Sequence, residues 1–193
     1  MITQIKGRLI EKTPTYLVID CNGIGYEVNI SLNTFSSISS EENIQLFTHL
    51  QIREDAHILY GFFTVVERTV FRLLISISGI GTSTARTMLS SLTPNEIQQA
   101  IIAEDVPKIQ GIKGIGLKTA QRVIIELKDK IISLHGMEEI PIAKSNTIKE
   151  ETLSALDVLG YSRKQSEKLV DNIIQSQPSI STEEIIRLAL NKL

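Results

Sequence analysis

The sequence has few of the residues that build metal centres and covalent cross-links. Its 193 residues include one cysteine, Cys21, and three scattered histidines. One cysteine cannot form a disulfide within the chain, and no pair of cysteines or histidines has the spacing of a zinc site. We therefore expect neither a metal nor a cofactor.

Long hydrophobic runs are also absent. No stretch approaches the roughly 18 to 20 apolar residues that span a bilayer, and the first residues, MITQIKGRLIEK, lack the apolar core of a secretory signal. Apolar residues make up 42% of the chain and charged residues 22%, as in globular proteins. The expectation is a folded cytoplasmic protein of one large or two to three small domains, without membrane contact.

The charge is nearly balanced overall but unevenly distributed. The net charge is -2, yet residues 65–134 carry 9 basic and 6 acidic side chains, whereas residues 1–64 carry 4 and 7. If a polyanion binds, the central segment is where its phosphates would be neutralised.

The first 64 residues have the pattern of a small all-β domain. Five short runs rich in β-branched and aromatic residues are separated by turn residues, including the serine-rich stretch 36–40. The pattern fits a five-stranded barrel of the oligonucleotide-binding (OB) type and, equally well, an unrelated small barrel or sandwich. The runs are residues 5–10, 16–20, 26–30, 44–48 and 57–62.

The remaining chain has helical periodicity with one interruption. Residues 65–134 place apolar side chains three and four apart, as amphipathic helices do. No period can be assigned to residues 135–148, which we interpret as a mobile linker. Residues 149–193 predict three short helices, the first ending at Gly160 and the last beginning with the capping-box spacing of Ser181 and Glu184.

The helical segment contains an internal repeat. Residues 74–89 match residues 109–124 at a constant offset of 35, in the apolar positions as well as in a Gly-Ile-Gly triplet. Each copy has the order helix, glycine turn, helix, which is the helix-hairpin-helix motif. The triplets are Gly79, Ile80 and Gly81 in the first copy and Gly114, Ile115 and Gly116 in the second.

Such a turn suits a phosphate. The glycines leave the backbone uncovered while the isoleucine packs inward, and unpaired amides gather at the amino end of the next helix. A turn without ligand is the alternative, but the duplication favours two phosphate sites that grip a duplex across its minor groove without reading its sequence. The second copy has more cations beside its turn and should bind phosphate more tightly. Candidate side chains are Ser83 and Arg86 in the first copy and Lys118, Thr119 and Arg122 in the second.

At this point the sequence resembles a known family. The stretches SGIGTSTARTML and KGIGLKTAQRVIIELKDK, together with Gly25–Val28, Phe47–His49, Arg53–Ala56, Leu59–Phe62 and Leu159–Tyr161, are similar to the RuvA family of bacterial Holliday-junction branch-migration proteins over essentially the whole chain. The resemblance implies a multidomain α+β protein: an OB-fold barrel at 1–64, a tandem helix-hairpin-helix domain at 65–134, a flexible linker at 135–148 and a three-helix bundle at 149–193.

The resemblance also implies a function in recombination and DNA repair. Members of the family form a tetramer that holds four-way junction DNA open and planar, and two tetramers can form an octamer around it. They recruit the hexameric RuvB ATPase through the third domain and act with the RuvC resolvase. The chain itself would not be an enzyme, and it contains no P-loop sequence.

Three further assignments follow from the resemblance. Glu54 and Asp55 match the acidic pin at the tetramer centre, where carboxylates repel phosphates; a solvated turn is the alternative, and catalytic carboxylates are discounted. Leu159, Tyr161 and Ile185 are candidates for contacting RuvB. Ser83 stands where the family often has lysine, which predicts a weaker salt dependence of binding.

Two other functions compete. A DNA glycosylase or nuclease would need a catalytic aspartate beyond the hairpin, and only Asp129 lies near the second hairpin. A nonspecific duplex-binding module would need only the two hairpins. A preference for branched over linear DNA separates the last from junction binding.

Overall fold

The computed structural model describes residues 1–39, 42–138, 144–176 and 180–192. The chain divides into two compact units, Met1–His135 and Gly136–Leu193. No helix in the described part of the chain is long and apolar enough to cross a membrane.

Five strands form a closed barrel in the first unit. They are β1 (Gln4–Lys12), β2 (Tyr16–Cys21), β3 (Ile24–Asn29), β4 (Asn43–Ile52) and β5 (His57–Phe62). Their order around the barrel is β1-β2-β3-β5-β4, with β1 paired to β4 and all pairs antiparallel except β3 with β5. The closed barrel confirms the predicted OB-like fold and excludes the sandwich.

Glycine allows the barrel to curl tightly at β1. A methyl group on Gly7 would lie 2.2 Å from the carbonyl oxygen of Asp20 on β2. Inward-facing residues alternate along the strands and fill the barrel, as a closed sheet requires. The buried barrel core comprises Ile5, Leu17, Ile19, Val28, Ile30, Ile38, Ile44, Leu46 and Leu59.

A short helix, α1 (Leu32–Ser37), lies between β3 and β4 and overlaps the first two residues of the serine-rich stretch. The Ser31 hydroxyl caps it by accepting from the Thr34 amide, and Phe35 packs against the barrel core. The stretch does separate two strands, as predicted, but α1 was not predicted, because six residues are too few to show a helical period.

After the barrel, the described residues form the helices α2 (Val65–Ile75), α3 (Thr82–Ser91), α4 (Pro94–Ile102), α5 (Val106–Gln110) and α6 (Leu117–Glu138), the last of which runs to the end of the first unit and slightly beyond. Their core continues into the barrel, since Tyr60 and Phe62 of β5 belong to it. The Phe71 ring of α2 lies 5.2 Å from the Tyr60 ring and 4.8 Å from the Phe62 ring, centre to centre. Aromatic packing therefore holds the helices rigidly against the barrel.

The described residues of the second unit form three helices: α7 (Lys144–Val158), α8 (Arg163–Ser176) and α9 (Thr182–Leu190). Gly160, at φ +93°, follows α7, and the Ser181 hydroxyl caps α9 as predicted. The core comprises Leu153, Leu156, Val170, Ile173, Ile180, Ile185 and Ala189.

Helices enter the interruption at 135–148 from both sides. α6 continues to Glu138 and α7 begins at Lys144, although no period was assigned there. Helix hydrogen bonds are local, so a polar stretch can remain helical without the apolar stripe that makes a helix recognisable. Residues 139–143, the centre of the predicted linker, lie outside the described residues.

Candidate nucleic-acid interface

The two hairpins have the same backbone geometry. The first is formed by α2, residues 76–81 and α3, and the second by α5, residues 111–116 and α6. Three backbone hydrogen bonds recur with an offset of 35, at N···O distances of 3.1, 3.0 and 2.9 Å in the first copy and 3.3, 3.1 and 2.9 Å in the second. Their donors and acceptors are Ile77 to Leu74, Ile80 to Ile77 and Ala85 to Gly81, then Ile112 to Ile109, Ile115 to Ile112 and Ala120 to Gly116.

The first glycine of each triplet makes the turn. Gly79 has φ +95° and Gly114 has φ +90°, in the left-handed region that side chains with a Cβ disfavour. The isoleucine that follows packs inward, with Ile80 4% and Ile115 6% exposed. The predicted inward packing of the isoleucines is confirmed, and the turn is rigid because its centre is anchored in the core.

The second glycine of each triplet exposes the backbone. Ala85 donates to Gly81 and Ala120 to Gly116, so the amides just before these alanines precede the first helical hydrogen bonds. No side chain caps α3 at Gly81. A methyl group on Gly81 or Gly116 would meet no protein atom within 4 Å. Each hairpin thus presents uncovered donors at the positive end of a helix, as an anion site requires.

The predicted polar side chains divide into free and engaged groups. Ser83 and Lys118 are exposed, and Thr119 is partly buried. Lys118 forms no hydrogen bond or ion pair with any residue that the structure describes, so its ammonium is available to a ligand.

Arg86 lies on α3 but is turned towards the barrel. One of its guanidinium nitrogens donates to the Asn29 side-chain oxygen at 2.8 Å and to the Thr15 carbonyl at 3.3 Å. Both acceptors are neutral, so the contact positions the arginine without cancelling its charge. Arg86 therefore links the first hairpin to the barrel, and its role towards DNA stays a prediction.

Arg122 links the two hairpins to each other. It lies on α6 in the second hairpin and donates to the carbonyl of Ser78, in the turn of the first, at 3.0 Å. It also forms an exposed ion pair with Glu126 at 3.8 Å. A basic residue one turn into a helix predicts a cation near the hairpin, but its partner 44 residues away follows only from the tertiary fold.

A hydroxyl relay fixes the start of α3. The Tyr60 hydroxyl donates to the Thr82 hydroxyl, which in turn donates to the side-chain oxygen of Gln51, each at 3.0 Å. Because Gln51 and Tyr60 belong to the barrel, the start of α3 after the first hairpin turn is fixed relative to it.

A buried carboxylate, which the sequence patterns do not reveal, supports α2. Glu67 is 3% exposed and accepts hydrogen bonds from the hydroxyls of Ser31 and, at 2.7 Å, Thr34. Burial raises the pKa of the Glu67 carboxyl above its usual range, although the two hydroxyls oppose the shift. Nothing in the local sequence distinguishes this glutamate from a surface one, since its partners lie more than 30 residues away.

The acidic pair lies in the turn between β4 and β5. Glu54 and Asp55 are exposed, and the turn is closed by a hydrogen bond from the Arg53 amide to the Ala56 carbonyl at 2.9 Å. Neither carboxylate forms an ion pair within the described residues, so both charges face solvent.

The candidate partner residues in the second unit differ in accessibility. Leu159 is 55% exposed, Tyr161 is partly buried against the core, and Ile185 is fully buried. Ile185 is thus a core residue, because the apolar face of α9 packs inward. Val158, which the sequence analysis missed, is 85% exposed. An apolar cleft of about 750 Å³ runs beside these side chains, lined by Ala155, Val158, Leu159 and Ile186 with Glu151, Ser154 and Arg163.

Comparison with known proteins gives the same architecture. Residues 1–61 match the model of the RuvA N terminal domain, residues 71–129 that of the SAM-like Helix-hairpin-helix tandem, and residues 147–193 that of the RuvA C-terminal domain. The "Holliday junction branch migration complex subunit RuvA" of Christiangramia forsetii is 58% identical over 193 residues, which is the full length of both chains. The chain belongs to the RuvA family.

Other RuvA proteins are similar along their whole length. Proteins with the same name from Flavobacterium psychrophilum and Bacteroides thetaiotaomicron are 53% and 44% identical, each aligned over all of both chains. The ends of the two RuvA family matches lie near the boundaries of structural elements. The N-terminal match ends within β5 and the C-terminal match begins within α7.

Proposed function

We propose that this chain binds four-way junction DNA without reading its sequence, holds the junction open and planar, and recruits the RuvB ATPase for branch migration in recombination and repair. The observation that carries the proposal is the pair of hairpins with the same backbone hydrogen bonds and uncovered amides, in a chain of the RuvA family. The chain acts as a DNA-binding subunit and catalyses no reaction itself.

The hairpins explain binding that is independent of sequence. Backbone amides and Lys118 offer donors to phosphate oxygens, and such contacts position a duplex without reading base edges. Two equivalent sites locked together by Arg122 suit the two strands of one arm.

The acidic turn explains the choice of a junction. In a tetramer, four copies of Glu54 and Asp55 would bring eight carboxylates to the centre. Their charge opposes a continuous duplex there and favours strands that separate into the arms. Support comes from the exposure of both side chains in the β4–β5 turn.

The second unit supplies the contact with RuvB. Its apolar cleft beside Val158 and Leu159 offers exposed apolar surface that its own core does not use. The tetramer, the octamer and cooperation with the RuvC resolvase are further parts of the proposal and rest on family membership. Mass measurement in solution, with and without junction DNA, tests the assembly.

The glycosylase alternative is weaker. Asp129 lies exposed on α6, whereas a glycosylase acts from a pocket that encloses a flipped base.

The test is a binding titration of the chain with a four-way junction and with a linear duplex of the same arm sequence, at one stated salt concentration. We expect the junction to bind at least about 100-fold more tightly, which corresponds to roughly 2.7 kcal/mol. Equal affinities would refute junction recognition and favour the nonspecific duplex-binding module.

A further inference from the structure

A groove beside the uncovered amides of the hairpins carries positive charge of its own. It has a volume of about 400 Å³ and lies between the β1–β2 turn of the barrel, one side of α3 and the turn of the second hairpin. Its charged lining residues are Arg86 and Lys113, and none of the described residues that line it is acidic.

Neither cation is neutralised by an acidic side chain among the described residues. Arg86 is held by the neutral oxygens of Asn29 and Thr15, as described above. Lys113 is exposed and forms no hydrogen bond or ion pair with any described residue. Two uncompensated positive charges facing one groove attract an anion.

The α3 hydroxyls that line the groove are not free to donate to an anion. Thr87, Ser90 and Ser91 line it, and each donates its hydroxyl proton to a carbonyl one turn earlier on α3, at 3.1, 2.8 and 2.9 Å. The charged donors left to a ligand are therefore the Lys113 ammonium and the remaining guanidinium hydrogens of Arg86.

The internal repeat gives Lys113 a counterpart. With the offset of 35, Lys113 corresponds to Ser78, and Thr87 corresponds to Arg122. Arg122 reaches Ser78 across the hairpins, while Lys113 and Thr87 line the groove together. The pairs Ser78–Arg122 and Thr87–Lys113 thus occupy equivalent positions in the repeat. Each pair contains one cation, which lies on helix α6 in the first pair and in the turn of the second hairpin in the second pair.

We propose that Lys113 binds a backbone phosphate of the DNA in this groove, with Arg86 as the second cation. This inference rests on the proposed function and deepens it. The interface then extends from the amides of the second hairpin sideways along α3, and Lys113 adds a cation next to the hairpin whose own turn has only hydroxyls.

The experiment measures junction affinity across a series of salt concentrations for the wild-type chain and for Lys113→Ala. The slope of log K against log salt should become shallower by about 0.9 for each phosphate contact that is lost. Ser91→Lys, which adds a cation to the same groove, should steepen the slope. Lys6→Ala, an exposed lysine on β1 outside the groove, is the matched control and should leave the slope unchanged.

The outcomes separate this inference from the proposed function. If the wild-type chain prefers the junction but Lys113→Ala and Lys6→Ala have the same slope, the groove does not bind phosphate and only the inference fails. If the wild-type chain binds junction and duplex equally while Lys113→Ala still loses slope, the inference holds and junction recognition fails. Melting curves of each variant ensure that altered slopes come from the interface rather than from unfolding.

Discussion

The first and second hairpins have the same backbone conformation at their turns and differ in their polar side chains. Both bury an isoleucine, turn at a glycine with positive φ and begin a helix with uncovered amides. The first continues with Thr82, Ser83 and Thr84, and the second with Lys118. The difference teaches that apolar residues and glycines specify the shape of the turn, while the polar residues around it decide which charges the turn presents.

The largest effect should come from removing the buried isoleucines. Ile80→Ala and Ile115→Ala should each lower the free energy of unfolding by about 2 to 5 kcal/mol, since both truncate a core side chain. The two losses should be similar because the two burials are similar. Urea denaturation measures them, with Ile125→Ala, at a 77% exposed position, as a control that should change little. A large difference between the two would break the structural equivalence of the hairpins.

Covering the exposed backbone should weaken binding without harming the fold. Gly81→Ala and Gly116→Ala add a methyl group that meets no protein atom, so stability should hold. A DNA phosphate would collide with it, and losing one hydrogen bond to a charged group costs about 1.5 to 3 kcal/mol, or roughly 10-fold to 100-fold in junction affinity. Gly25→Ala, in the barrel, is the control. Unchanged affinity in both hairpin variants would show that DNA does not approach these turns.

Removing a polar side chain should affect DNA binding differently in the two hairpins. Lys118→Ala should make the salt dependence of junction binding shallower by about 0.9 in log K against log salt per contact, whereas Ser83→Ala removes no charge and should leave it unchanged. Conversely, Ser83→Lys should steepen it. Titrations at several salt concentrations decide, and an equal response to Lys118→Ala and Ser83→Ala would contradict the stronger second site.

The smallest effect concerns pH and only the first hairpin. Glu67, whose pKa is raised by burial, supports α2, and the equivalent position in the second copy is Ile102. Because the folded pKa lies above the ordinary value of 4.5, the stability that protonated Glu67 contributes is fully present below 4.5 and is lost as the pH rises through the folded pKa. The wild-type chain should therefore lose stability relative to Glu67→Gln over that window. Urea denaturation at a series of pH values measures the difference, and a difference that is constant or grows with pH would contradict the assignment.

Sequence patterns predicted elements better than contacts. The five strands, the repeat and the caps at Ser181 and Gly160 could be read because each depends on residues a few positions apart. The helix α1 could not, since it is shorter than the window in which a period appears. The burial of Ile185 could not either, because an apolar residue on an amphipathic helix looks the same whether its face meets its own domain or a partner.

The sequence by itself determined the two hairpin turns, because glycine spacing and an inward isoleucine act locally. Only the tertiary structure decided which cations are held by other parts of the protein and which are not. Arg86 and Arg122 are tied to the barrel and to the other hairpin, while Lys113 and Lys118 face solvent. The physical reason is that a hydrogen bond needs its two partners within about 3 Å, and folding brings together groups that lie dozens of residues apart in the chain.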